Sequence, residues 1–195
     1  MYGGAEVTER GDKEAAAFTQ RDNPRFRCET TSIIFDWTFD GPVNRITQNR
    51  DTIVIEYGQM NLKRTVHMNM KAHPANVKLT RAGHSTGRWE GDTLVIDTVG
   101  FLPGVLNGAI RHSDQMHVVE RFTLDPKTFQ LGREWEVEDP LYLKGKATGR
   151  DTPVKSGGAV PCARSNAVET NSRHRSAEEN TVTVFDMMFS LVCVY

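Results

Sequence analysis

The sequence is short of cysteine, of unbalanced charge and of long apolar runs, and each shortage closes a class of function. Cys28, Cys162 and Cys193 are its only 3 cysteines. They are too few and too scattered for a disulfide scaffold, and an odd count leaves at least one without an intrachain partner. No two have the CxxC spacing of a thiolate zinc site. The 24 Lys+Arg are matched by 25 Asp+Glu, for a net charge of −1. The chain therefore lacks the basic excess of a nucleic-acid binder. No apolar run reaches the ~18 residues of a membrane-spanning helix. The stretch up to Asn23-Pro24 has no apolar signal-peptide core, which leaves two alternatives, a cytoplasmic protein or a chain whose leader was removed. Nucleotide, flavin and nicotinamide motifs are missing too. Gly83-x3-Gly87 does not open a helix after a strand, so it is no phosphate loop.

What remains is a globular composition, 38% hydrophobic and 25% charged over 195 residues. The order of the chain divides it into an N-terminal segment 1–22, a β domain 23–152 and an irregular tail 153–195. A short helix is expected within Glu9–Gln20. The tail is rich in Ser, Gly, Ala, Asn and Arg as far as Asn180. It ends in TVTVFDMMFSLVCVY, which reads either as a last strand or as an exposed sticky end, on a fused or altered extension.

Between residues 30 and 150 apolar residues alternate at short intervals and turn residues recur. Strands are expected near Ser32–Thr38, Val43–Gln48, Thr52–Tyr57, Leu62–Met70, Ser85–Glu90, Thr93–Val99, Met116–Leu124 and Phe129–Glu138. Asp40-Gly41-Pro42, Asn49-Arg50-Asp51 and Gly58–Asn61 supply turns, and Gly100–Asp114 is the one long loop. Consecutive strands without helices favour an all-β antiparallel meander. A meander of this size closes into a barrel wide enough for one small ligand, or stays a twisted open sheet.

Two hairpins can be registered from their turns. Gly91-Asp92 is a two-residue turn with glycine first, so Glu90 faces Thr93, Trp89 faces Leu94, Arg88 faces Val95 and Thr86 faces Asp97. One face then carries Trp89, Leu94 and Ile96. The other carries His84, Thr86, Arg88, Glu90 and Asp97, with His84 and Asp97 as diagonal neighbours. Asp125-Pro126-Lys127-Thr128 reads as a type I turn, so Leu124 faces Phe129, Phe122 faces Leu131, Glu120 faces Arg133 and Val118 faces Trp135. Glu120 and Arg133 thus meet on an apolar face. The strand Leu62–Met70 likewise places Arg64 among Leu62, Val66, Met68 and Met70.

Three constellations could carry chemistry. Glu120 with Arg133 could hold a polar ligand group, or be a buried ion pair that fixes register. His84 beside Asp97 has the logic of an oriented imidazole base, against the plainer reading of a solvated face. His67, His73, His84, His112 and His117 could converge on a metal. The spacing His112-x4-His117-x2-Glu120 fails on strand parity, so the expectation is no cofactor, with metal the weaker alternative.

The run GHSTGRWEGDTLVIDTVGF from Gly83, then His112-Ser113, HVVERF from His117 and Asp139-Pro140 resembles an uncharacterised bacterial family with the signature GHSxGxWEGDTLVVDTxGF … HVVERF … DP. The resemblance covers about residues 23–152, and the tail has no counterpart in it. His84, Trp89, Glu90, Asp92, Asp97, His112 and Glu120 fall on the signature. It implies a lipocalin-like barrel and a periplasmic or secreted location.

The function expected is cofactor-free acid–base chemistry of the lyase, hydratase, isomerase or cyclase type. The substrate is a small apolar or amphipathic molecule in the barrel. His84 is the base, Asp97 orients it, and Glu120 or His112 is the acid. Arg133 binds an oxyanion, and Trp89, Trp135, Phe122 and His67 line the substrate. The alternatives are a lipocalin-like binding protein for a small hydrophobic ligand, and a structural or interaction module.

Overall fold

The structure, a computed structural model, describes residues 1–38, 44–58 and 60–151, with the backbone of Val154–Lys155 and Val182–Thr183. The fold is all-β, and the described residues add one short α-helix and two single 3-10 turns, Gln20–Asp22 and Pro24–Arg27. Eight strands form a single curled mixed sheet, a half-barrel: β2 (Arg45–Gln48), β3 (Thr52–Glu56), β4 (Lys63–His67), β5 (His84–Glu90), β6 (Thr93–Val99), β9 (His117–Leu124), β10 (Gln130–Glu138) and β12 (Lys146–Arg150). They lie in the order β12-β10-β9-β6-β5-β4-β3-β2. Outside the sheet, β7 (Gly104–Asn107) pairs with β8 (Ile110–His112), and β1 (Glu6–Val7) with β11 (Leu143–Lys144). Two edge additions, β13 (Val154–Lys155) on β10 and β14 (Val182–Thr183) on β2, come from the tail. The rest of 153–195, including most of its terminal apolar run, lies outside the described residues, as do the Asp40-Gly41-Pro42 turn and Gln59.

Strict alternation gives the sheet two unlike faces. The inner face holds Ile53, Ile55, Val66, Ile96, Val118 and Val137, all at most 1% exposed. Each such side chain contributes roughly 1.5–3 kcal/mol of hydrophobic stabilisation. The N-terminal segment covers this face: Ile33 and Ile34 are buried against it, and the Tyr2 ring stacks on Trp135 at 5.8 Å. The helix α1 (Glu9–Ala16) begins where Thr8 Oγ1 accepts from the Gly11 amide at 3.1 Å, and the same hydroxyl donates to the Leu141 carbonyl at 2.7 Å. One side chain thereby both caps the helix and ties it to the turn before β11.

Four expectations are corrected. Ser32–Thr38 is a series of turns, not a strand. The Asp36 amide donates to the Ser32 carbonyl at 2.9 Å, the Phe35 amide donates to Ser32 Oγ, and the Asp36 carboxylate accepts from the Thr31 amide. Ser and Asp side chains thus offer the backbone local partners that compete with a ladder. The second hairpin is shifted by two residues: Leu124 faces Leu131, Phe122 faces Arg133, Glu120 faces Trp135 and Val118 faces Val137. The loop is longer than its proline turn implies, because Phe129 takes a left-handed conformation (φ 55°) and the Asp125 amide donates to the Gln130 carbonyl. An even shift preserves every face. The Gly100–Asp114 loop contains the β7–β8 hairpin. The sheet, finally, is not a pure antiparallel meander. β4 and β5 run parallel, and the pairing path is open from β12 to β2 among the described strands.

Candidate active site

A parallel pair cannot be joined by a tight turn and needs a crossover of a dozen or more residues. Here the crossover is Met68–Gly83, and it carries His73 across the outer face of the sheet. It is fastened at its end by the Thr80 amide donating to the Gly100 carbonyl and by the Leu102 amide donating to the Thr80 carbonyl. Adjacent strands supply the rest of the site: His67 from β4, His84 from β5, Asp97 from β6 and His117 from β9. The first hairpin has the register expected from Gly91-Asp92, with Thr86 opposite Asp97, so His84 and Asp97 share the outer face.

The polar contacts form one chain. His84 Nδ1 lies 2.8 Å from His73 Nδ1, and His73 Nε2 lies 2.9 Å from Asp97 Oδ1. His117 Nε2 lies 3.0 Å from the same carboxylate oxygen. The His67 ring stacks on His84 at 5.1 Å. Hydrogen bonds from His117 and His73 outweigh partial burial and hold the Asp97 carboxyl down at about 2, so it is an ionised acceptor near neutrality. Both imidazoles must then donate to it through Nε2. In neutral His73 this leaves Nδ1 bare, and it accepts from His84 Nδ1–H. Neutral His84 in turn keeps its lone pair on Nε2. Burial and the neighbouring His73 and His67 rings lower the His84 pKa, which favours that neutral form. The hydrogen bond to Asp97 raises the His117 pKa.

Beside these rings the sheet is slotted. β4 and β5 pair only at Val66–Ser85 and His67–Thr86. Before those residues they diverge and leave a cleft of about 370 Å³, lined among others by Lys63, Arg64, His67, Arg81, Gly83 and His84. A second outer-face cleft of about 490 Å³ lies over β9, β10 and β12, but its charged residues are already paired, Arg150 with Glu134, Arg121 with Glu90 and Glu136 with Lys146, and it has no imidazole.

The remaining expected site residues are elsewhere. Glu120 lies on the inner face, 0% exposed, between two guanidiniums: it accepts from Arg64 Nη1, and from Arg133 Nη1 at 3.1 Å. Arg133 also donates to the Ile33 and Ile34 carbonyls, at 3.1 and 2.9 Å, and to Asp151. Trp37 covers Arg133 at 5.2 Å and meets the Phe122 ring edge-on at 5.1 Å. Trp89 packs against the core. Trp135 fills the space above Gly149, where a Cβ would come within 2.2 Å of its ring. These side chains pack on one another, so the buried pair closes the sheet over the N-terminal segment instead of facing an open lumen. His112 is buried on β8 against Phe101, and Gly104 leaves room for its ring. The adjacent Ser113 is clamped to Asp139, through its amide at 2.6 Å and its hydroxyl at 2.9 Å. Of the expected set, the structure therefore brings together His84, Asp97 and His67. It adds His73 and His117, counted among the imidazoles but not assigned to this site.

Among the described residues, no group of His, Cys, Asp and Glu has the geometry of a metal site, and no helix is long and apolar enough to cross a membrane. No family model, no curated protein and no solved structure matches the chain.

Proposed function

We propose that the cleft between β4 and β5 is the active site of an enzyme that moves protons on a small apolar or amphipathic molecule without a cofactor. The reaction class is lyase, hydratase, isomerase or cyclase. The observation that carries the reading is the hydrogen-bonded chain His84–His73–Asp97 with His84 lining the cleft, and the tautomers that satisfy this chain leave His84 Nε2 as the base. In the forward step His84 Nε2 takes a proton from a carbon acid. The pair left on carbon forms a double bond, either within the molecule or with loss of a leaving group. Asp97 and His73 hold the ring in the required tautomer and stabilise the imidazolium that forms. Return of that proton to a neighbouring carbon completes an isomerisation, and its transfer to the leaving group completes an elimination.

The lipocalin-like resemblance and a periplasmic or secreted location belong to the same proposal. The inner face of the described half-barrel is filled by the protein's own side chains, which supports an outer-face cleft over a central lumen as the site.

The test is solvent-deuterium exchange, followed by proton NMR, into a panel of small carbonyl compounds with acidic C–H bonds. Wild-type protein exchanges at least one member. His84→Ala abolishes exchange while the protein stays folded, and Asp97→Asn lowers the rate about 10²–10⁴-fold. Equal exchange by wild type and His84→Ala refutes the assignment.

A further inference from the structure

We infer that, independently of the cleft between β4 and β5, the molecule has a second ligand site, in which Nε2 of His112 accepts a hydrogen bond from the hydroxyl group of a small organic acid. The site is a cleft of about 340 Å³ lined by the N-terminal segment, the end of the crossover and the β7–β8 hairpin. His112 is 5% exposed, and its ring meets Phe101 edge-on at 6.0 Å. Its Nδ1 lies 3.3 Å from the Ser113 carbonyl oxygen. A carbonyl only accepts, so Nδ1 carries the proton and the neutral ring has its lone pair on Nε2. Burial lowers the His112 pKa, which keeps the ring neutral near pH 7. Nε2 has no hydrogen-bond partner among the described residues. A largely buried polar atom without a protein partner is costly, and a ligand removes that cost.

Gly104 gives that nitrogen its opening. It stands directly opposite His112 in the β7–β8 pair, and both residues line the cleft. The three atoms nearest to a Cβ placed on Gly104 all belong to the His112 ring, Nε2 first at 2.9 Å. Its backbone is not in the left-handed region that by itself calls for glycine. The missing side chain therefore keeps the space beside Nε2 clear. The cleft also opens to solvent, since Leu102 in its lining is 43% exposed and the Arg27 and Arg81 side chains are about half exposed. Charge selects the rest of the ligand. Arg27 and Arg81 share one oxygen of Glu29, each at 3.3 Å, which leaves one positive charge in excess there. Arg111, between Asp22 and Glu14, is balanced once Arg10 on Glu14 is included. That excess favours a carboxylate on the ligand and disfavours an ammonium as the donor to His112, so the donor is a neutral hydroxyl. Pro24, Leu102, Pro103 and Val105 supply an apolar wall, and the volume is near the small end of sites for organic ligands.

The experiment titrates the full chain with 4-hydroxybenzoate, with benzoate, which lacks the donor, and with methyl 4-hydroxybenzoate, which lacks the charge. Calorimetry reads affinity, and long-range ¹H–¹⁵N correlation spectra of ¹⁵N-histidine-labelled protein read His112 Nε2. That resonance is identified by its loss in His112→Gln or, should this variant not fold, by elimination against single replacements of the other histidines. 4-Hydroxybenzoate is expected to bind with a Kd below about 1 mM and to move the Nε2 resonance. Benzoate and the ester should each bind about threefold or more weakly, the worth of one hydrogen bond or one weak ion pair. Gly104→Ala covers Nε2, so in that variant the hydroxyl no longer helps and the two acids bind alike. Arg27→Gln on the exposed lining should weaken both acids and leave the ester unchanged, and it carries the test if Gly104→Ala does not fold. Benzoate or the ester binding as tightly as 4-hydroxybenzoate, a stationary Nε2 resonance, a hydroxyl preference that survives Gly104→Ala, or no binding of 4-hydroxybenzoate at about 1 mM overturns the inference.

Discussion

Glu120→Gln is the substitution that best separates structure from catalysis. Glu120 is fully buried and accepts from both Arg64 and Arg133. The amide removes the negative charge, and its NH₂ group presents donors to guanidiniums that already only donate. Arg133 keeps Asp151 and two backbone carbonyls, but Arg64 keeps no charged partner. Breaking a buried pair by neutralising one member costs about 3–5 kcal/mol, because an uncompensated charge stays inside. At about 2–4 °C per kcal/mol for a chain of this size, the melting midpoint should fall by roughly 6–20 °C. Urea denaturation followed by tryptophan fluorescence measures the loss, with the slope m unchanged. At a temperature where the variant is folded, deuterium exchange should proceed at close to the wild-type rate. A loss below about 1 kcal/mol would refute the structural reasoning. A fully folded variant without exchange activity would make Glu120 part of the catalytic site after all.

Other substitutions probe other links. Gly149→Ala places a Cβ 2.2 Å from the Trp135 ring and should destabilise by about 1–3 kcal/mol in chemical denaturation. Phe129→Gly relieves a left-handed residue that is 37% exposed and should stabilise by roughly 0.5–1 kcal/mol in the same assay. The Asp97 contribution has a defined sign. Its carboxyl is lowered from 3.8 to about 2, so the stabilisation is present above pH 4 and is lost as pH falls toward 2. It amounts to about 1 kcal/mol after discounting for screening at a third-exposed group, and Asp97→Asn should remove that part of the acid limb. His117 works in the other direction. Its pKa is raised, so its stabilisation is complete below pH 6.5 and fades as pH rises through the folded value, a fading that His117→Gln should abolish.

Much of this was legible in the sequence where turn chemistry was unambiguous. Gly91-Asp92 fixes the first hairpin to the residue and with it the shared face of His84 and Asp97. The second hairpin was misregistered because a proline turn does not announce a left-handed phenylalanine, yet Glu120 and Arg133 stayed on the apolar face because the slip was even. Ser32–Thr38 looks like a strand by its isoleucines and is turned by the side chains of Ser32 and Asp36. His73 was hidden for a topological reason. Nothing local marks β4 and β5 as parallel, so no motif in the sequence marks the crossover that carries His73 onto Asp97. The signal available was length: Lys71–Gly83 has no strand pattern and is too long for a hairpin.

The central claim is that the relay leaves His84 Nε2 free to act as a base. Long-range ¹H–¹⁵N correlation spectra of ¹⁵N-histidine-labelled protein at pH 7 test it directly, with His73→Gln and His84→Ala to assign the rings. The account predicts neutral His84 protonated at Nδ1 and bare at Nε2, and His73 protonated at Nε2. A cationic His84, or a neutral one with its proton on Nε2, would contradict it.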